Sequence, residues 1–194
     1  MGHWQYYLAG RLLELFNRKE GAIDAYQAAL RLNPGSHRAA NRIAYVLASR
    51  GRFAEAQTHF QAVLLADPSN AVAHFNLGYT FDKLGRFELA IAEFREATRL
   101  NPKIDRAWYG LGLSHAALQQ HEEAAKALQE AATLQPMNPH AWYQLGMAHH
   151  TLHNADKVTE VALHLVRFDP RMTRRLILDA SRNDLAYLVK DLVV

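Results

Sequence analysis

Cysteine is absent from the chain. With no thiol there is no disulfide framework, no thiolate metal site and no cysteine nucleophile. Long apolar runs are missing too, since no stretch approaches the ~18–20 residues needed to cross a bilayer. The start, Met1-Gly2-His3-Trp4-Gln5-Tyr6, lacks the basic-then-apolar order of a signal peptide. Tyr6 also stands where the myristoylation pattern wants Ser or Thr. These absences name no compartment, with the cytoplasm favoured. Charge of one sign is scarce: 22 Lys and Arg face 19 Asp and Glu, a net +3. No basic block of the kind that grips nucleic acid is present. Apolar residues make up 49% and charged ones 21%, which suits a folded chain rather than a disordered one.

Proline is sparse at six residues, and five of them, Pro34, Pro68, Pro102, Pro136 and Pro170, stand 34 residues apart, with Pro139 extra. The 194 residues are therefore five blocks of 34 and a remainder of 24. A fixed period of this size is the signature of a repeat array. It counts against a doubly wound sheet, a sandwich or a barrel, whose elements need not recur at one interval.

Aligning the blocks on their prolines exposes further columns. One is small, with Gly10, Ala44, Gly78, Gly112 and Gly146, preceded by Ala9, Ile43, Leu77, Leu111 and Leu145. Another holds Ala22, Ala56, Ala90, Ala124 and Val158. A bulky one holds Tyr26, Phe60, Phe94, Leu128 and Ala162. Trp108 and Trp142 share a column with Tyr6, Ala40 and His74. The matched apolar positions lie three, four and seven residues apart, a helical spacing. Each block reads as two helices, for example Arg38–Ser49 and Phe53–Ala66. Gly51 and Gly85, and Asn17 in the same column, suit a left-handed helix end. The Asn-Pro and Asp-Pro pairs at 33–34, 67–68, 101–102 and 169–170 are expected to end the second helices, because a residue before proline is pushed out of the helical region. The small column lets two helices approach, and the bulky column fills the space beyond it.

This pattern of tryptophan, Leu-Gly, tyrosine, alanine, phenylalanine and proline over 34 residues resembles the tetratricopeptide repeat family. The resemblance spans residues 3–172 and implies an all-α solenoid, a right-handed superhelix of five helix-turn-helix repeats at 3–36, 37–70, 71–104, 105–138 and 139–172. Residues 173–194 are expected to cap the stack: a short helix to about Ala180, then a second from Ser181-Arg182-Asn183-Asp184 carrying Leu185, Leu188, Val189 and Leu192. No equivalent cap stands before the first repeat. His115 and His149 in the tyrosine column, and the swap at Val158 and Ala162, predict looser packing in the last two repeats.

In this family the first helices line a concave groove, and the resemblance implies that a ligand binds there. Carried over, the groove positions are Tyr7, Arg11, Arg38, Asn41, Arg42, Tyr45, Phe75, Asn76, Tyr79, Arg106, Tyr109, Tyr143 and Met147. Tyrosine and arginine are enriched at binding hot spots. Such a groove suits an extended peptide or amphipathic helix with apolar anchors and a few acidic groups. The competing expectation is that the rings only pack sideways and stiffen the stack. The family's two-carboxylate clamp is incomplete, because Asn41, Tyr45 and Gly110 replace required residues around Asn76 and Arg106.

His149 and His153 at i, i+4 raise a metal reading, but Glu is not between them as in a zinc hydrolase motif, and a solvated helix end explains them. No phosphate loop or Ser-His-Asp motif is present. The expected function is thus a non-catalytic protein-interaction scaffold without cofactor or metal, its partner a protein or peptide. Two alternatives are the repeat region of a larger enzyme, such as a glycosyl- or methyltransferase, and self-assembly through the first-helix edge at Trp4 and Tyr7.

Overall fold

The computed structural model describes residues 2–190. These residues form eleven α-helices and one 3-10 segment and no strand. They divide into two compact units, one up to Asn101 and one from Pro102. The first unit contains α1 (His3–Leu15), α2 (Lys19–Leu32), α3 (His37–Ser49), α4 (Phe53–Ala66), α5 (Ala71–Lys83) and α6 (Phe87–Leu100). The second contains α7 (Asp105–Ala117), α8 (His121–Leu134), α9 (Pro139–Thr151), α10 (Ala155–Leu165), α11 (Pro170–Asp179) and the 3-10 segment η1 (Asn183–Val189). Within each unit, consecutive helices pack as antiparallel hairpins, and the second helix of each hairpin also packs on the first helix of the next.

The turn inside every hairpin is the same, and its cause is local. Asn17, Gly51, Gly85, Gln119 and His153 all have φ between 55° and 76°. After each, an amide reaches back five residues to close the helix, as Arg52 N does to Leu47 O at 3.0 Å and Gln120 N to His115 O at 2.9 Å. This is the Schellman termination. Only glycine takes that conformation freely, so Gln119 and His153 escape a search for glycine or asparagine. Between hairpins, Asn33, Asp67 and Asn101 are extended, with φ near −140°, as the following proline requires.

The small and bulky columns meet as expected. A Cβ added to Gly10 would lie 2.5 Å from the Tyr26 ring, one at Gly78 would lie 2.8 Å from Phe94, and one at Gly112 would lie 2.6 Å from Leu128. Tyr26, Phe60, Phe94 and Leu128 are all at most 1% exposed. Unexpected from sequence is a tether at the start of the third, fourth and fifth hairpins. Trp108 Nε1 donates to the Pro102 carbonyl and Trp142 Nε1 to the Pro136 carbonyl, both at 2.9 Å. His74 Nε2 makes the same contact with Pro68 at 3.0 Å.

The fifth block departs from the expectation. Its second helix, α10, stops at Leu165. Asp169 and Pro170 do not terminate that helix but begin the next: Asp169 accepts from Met172 N at 2.9 Å, and Pro170 is the first helical residue of α11. Proline suits that place because its missing N–H would have no partner there anyway. Asn138 and Pro139 start α9 in the same way.

Helix α11 behaves like the first helix of another hairpin. It buries Thr173, Ile177 and Ala180 at the spacing of Ala141, Leu145 and Ala148 on α9, and it ends in the same left-handed turn at Ser181, φ 54°. Leu176 of α11 takes the bulky role that Ala162 cannot fill, lying 2.7 Å from a Cβ built on Gly146. The expected final helix is instead the 3-10 segment η1, and Leu192 lies outside the described residues. Leu185, Leu188 and Val189 of η1 join the core around α9, α10 and α11. The expected loosening at His115 is not seen, because that ring is 3% exposed with Nδ1 2.6 Å from Gln120 Oε1.

Candidate functional site

In the first unit, α1, α3 and α5 carry nine of the carried-over positions. Tyr45 on α3 is 53% exposed and Tyr79 on α5 is 42% exposed. They are 34 residues apart and occupy the same register on successive first helices. Cations lie over both rings, Arg42 at 5.1 Å from the Tyr45 centroid and Lys83 Nζ at 5.1 Å from that of Tyr79. Phe53, at the start of α4, meets the Tyr79 ring edge-on at 6.1 Å. Cation–π contacts of this kind hold a ring upright without burying it.

Three residues of this face are tied inward. Tyr7 packs on Tyr26 with ring centroids 5.5 Å apart, and Phe75 on Phe94 at 6.1 Å. Asn41 Oδ1 is buried without a hydrogen-bond partner among the described residues, and so is the Tyr26 hydroxyl. Burial pushes the Tyr26 phenol up to about 12, against the pull of Arg11 and with a smaller push from Tyr7. Asn76 is half-buried, and its carbonyl accepts from Thr80 Oγ1 at 2.8 Å.

The arginines divide into two kinds. Arg42 is paired with Glu14 of α1, its Nη2 and Nε each against a carboxylate oxygen, Nε at 3.1 Å. Burial lowers its pKa, and the neighbouring Arg11 lowers it further. Sequence columns do not point to Glu14, because the pair bridges two helices 28 residues apart. Arg11 and Arg38 are exposed and have no ion pair among the described residues; Arg38 stacks over Trp4 at 5.6 Å. The charge left for an acidic ligand in this unit is therefore on Arg11 and Arg38 rather than on Arg42.

In the second unit the column of Tyr7, Asn41 and Phe75 continues as Tyr109 and Tyr143. Tyr143 is 9% exposed, and its hydroxyl donates to Asp179 Oδ2 at 2.6 Å. Arg175 lies over its ring at 4.8 Å. Both partners come from α11, which covers the Tyr143 ring and hydroxyl. Tyr109 and Met147 are half-buried against the core of this unit, and Arg106 is exposed. His149 and His153 do not share a helix face, because α9 ends at Thr151 and His153 turns left-handed. Burial holds the His149 imidazole below its ordinary pKa, with Lys157 adding to the effect. Among the described residues no three His, Cys, Asp or Glu side chains are grouped to hold a metal ion. None of the described helices is long and apolar enough to cross a membrane.

The repeated hairpin with its 34-residue columns defines the class, and the family model described as Tetratricopeptide repeat matches residues 6–37, 41–103, 80–139 and 109–157. The chain belongs to the tetratricopeptide repeat family. Solved structures with the same fold include YrrB, "a TPR protein with an unusual peptide-binding site", 24% identical over 91% of this chain and 90% of that one, TM-score 0.79. MamA is 20% identical over 99% and 97% of the two chains, TM-score 0.78. PilF of Pseudomonas aeruginosa is 19% identical over 95% and 87%, TM-score 0.75. Comparison with curated proteins gives no match.

Proposed function

We propose that this chain is a non-catalytic protein-interaction scaffold that binds a peptide or helix of a partner on the α1, α3 and α5 face of its first unit. The observation that carries the reading is the exposed pair Tyr45 and Tyr79 in one register on adjacent first helices. Rings left half in water at a repeated position offer large contact area with few rotatable bonds to freeze. Arg11, in the column of Tyr45 and Tyr79, and Arg38 on α3 favour a ligand with one or two carboxylates flanking its apolar anchors. The peptide-binding site of YrrB supports this use of the fold, although at that identity its residues do not transfer. In the second unit, Arg106, Tyr109 and Met147 are separate candidate positions.

The test is selection of a random peptide display library on the wild-type chain. The selected peptides should be rich in aromatic or aliphatic anchors next to Asp or Glu. They should lose at least about tenfold in affinity for Tyr45→Ala/Tyr79→Ala, which removes two hot-spot candidates. Affinity for Tyr143→Phe should be unchanged. Equal binding to wild type and to the Tyr45→Ala/Tyr79→Ala chain would sink the reading.

A further inference from the structure

Helix α1 exposes more large apolar side chains than any other first helix. Of its thirteen residues only Gly10 is buried, whereas α3 buries six. Along one i, i+4 row stand Trp4, Leu8, Leu12 and Phe16, exposed by 49%, 62%, 56% and 67%, with Leu15 beside them at 79%. The same row reads Arg38, Arg42, Val46, Arg50 on α3 and Val72, Asn76, Thr80, Leu84 on α5. The third position of the row is a packing column, since Val46, Thr80, Ser114 and Ala148 are each at most 5% exposed, and Leu84, Leu118 and Leu152 share the column of Phe16. The repeat therefore accounts for Leu12 and Phe16 but not for Trp4 and Leu8.

We propose that α1 pairs with α1 of a second copy of this chain, antiparallel across a two-fold axis level with Gly10. The row is symmetric about that level: aromatic, leucine, leucine, aromatic. An antiparallel copy sets Trp4 against the partner's Phe16 and Leu8 against the partner's Leu12. Each patch is then its own complement, as a two-fold interface requires. Rows of i, i+4 side chains are also the ridges that interdigitate in the commonest helix packing.

Area supports the same occupant. Five large side chains with about 100 Å² each in water give on the order of 500 Å² per protomer, more than half of the ~800 Å² per partner in a standard interface. A further repeat of the same kind fits the face less well. On α3, α5, α7 and α9 the residue at this approach is Ala39, Ala73, Ala107 or Ala141, each at most 1% exposed. On α1 it is Gln5, whose longer side chain blocks so close an approach.

Sedimentation velocity from low to high micromolar concentration tests the pairing. The wild type should move from the mass of one 22.0 kDa chain to twice that mass. Leu8→Glu/Leu12→Glu should weaken the dimer by roughly a hundredfold. At concentrations where the wild type is a single chain, the variant's thermal melt should match that of the wild type, since both leucines are exposed and contribute little to the protomer's core. The cysteine-free sequence then allows a test of direction. A mixture of Leu8→Cys and Leu12→Cys chains should form disulfide-linked pairs faster than either chain alone. A single-chain mass at every concentration overturns the proposal, and so does a dimer indifferent to the two glutamates. Faster linkage of Leu8→Cys to itself than in the mixture overturns the antiparallel arrangement.

Discussion

The hairpins α5–α6 and α9–α10 come from the same 34-residue template, yet they complete their cores in different ways. In the former, Phe94 of the hairpin's own second helix sits on Gly78. In the latter, the corresponding residue is Ala162, and the space over Gly146 is filled by Leu176 from α11. The first hairpin closes on itself and leaves its first-helix face open, with Tyr79 in water. The second needs a neighbour, and that neighbour also covers Tyr143. Tyr143 shares its column with Phe75, which packs on Phe94 inside its own hairpin, and the counterpart of Tyr79 is Met147, half-buried against the core of the second unit. The covering side chain thus comes from the hairpin itself in one case and from the next helix in the other.

The strongest way to break this comparison is to remove the two fillers. Phe94→Ala should cost about 3–5 kcal/mol and Leu176→Ala about 2–5 kcal/mol, the range for large buried side chains cut to alanine. Denaturant titration measures both. If Leu176→Ala costs less than about 1 kcal/mol, α11 is an accessory rather than part of the fifth hairpin's core.

Smaller effects should follow from filling the glycine instead. Gly146→Ala places a Cβ 2.7 Å from Leu176 and should cost about 1–3 kcal/mol by overpacking. Combined with Leu176→Ala the penalty should shrink, because the truncated side chain makes room. The two changes are then non-additive, as neighbours usually are.

The contact that closes Tyr143 should matter less and should depend on pH. The Asp179 carboxyl is held below the ordinary aspartate range chiefly by the Tyr143 hydroxyl, with Arg175 adding to it. A carboxyl depressed in the folded state stabilises at neutral pH, and that contribution is lost as pH falls through its folded value. Tyr143→Phe should therefore melt slightly below wild type near neutrality, and the gap should close on acidification. Smallest of all should be Tyr45→Ala, which is expected to change stability by less than about 0.5 kcal/mol while weakening the proposed peptide capture.

How far the sequence foretold this depends on which residues are considered. The helices were legible because their causes are local. Proline forces the extended residue before it, glycine allows the left-handed turn, and apolar residues recur at three and four. The bounds expected for α4, Phe53–Ala66, are those found. What was not legible depended on contacts between helices. Glu14 neutralises Arg42 from another helix, and Asp179 reaches Tyr143 from 36 residues away. The roles of Asp169 and Pro170 shifted because α10 is three residues shorter than the other second helices, 11 against 14, and an Asp-Pro pair both ends and starts helices. Column matching told which residues share a register, but not which of them a later helix would cover.

Hydrogen exchange with a selected peptide bound tests the account most directly. Slowed exchange in α3 and α5, around Tyr45 and Tyr79, with α9 around Tyr143 unchanged, is the predicted result. Protection centred on α9 and α11, with α3 and α5 unaffected, would contradict it.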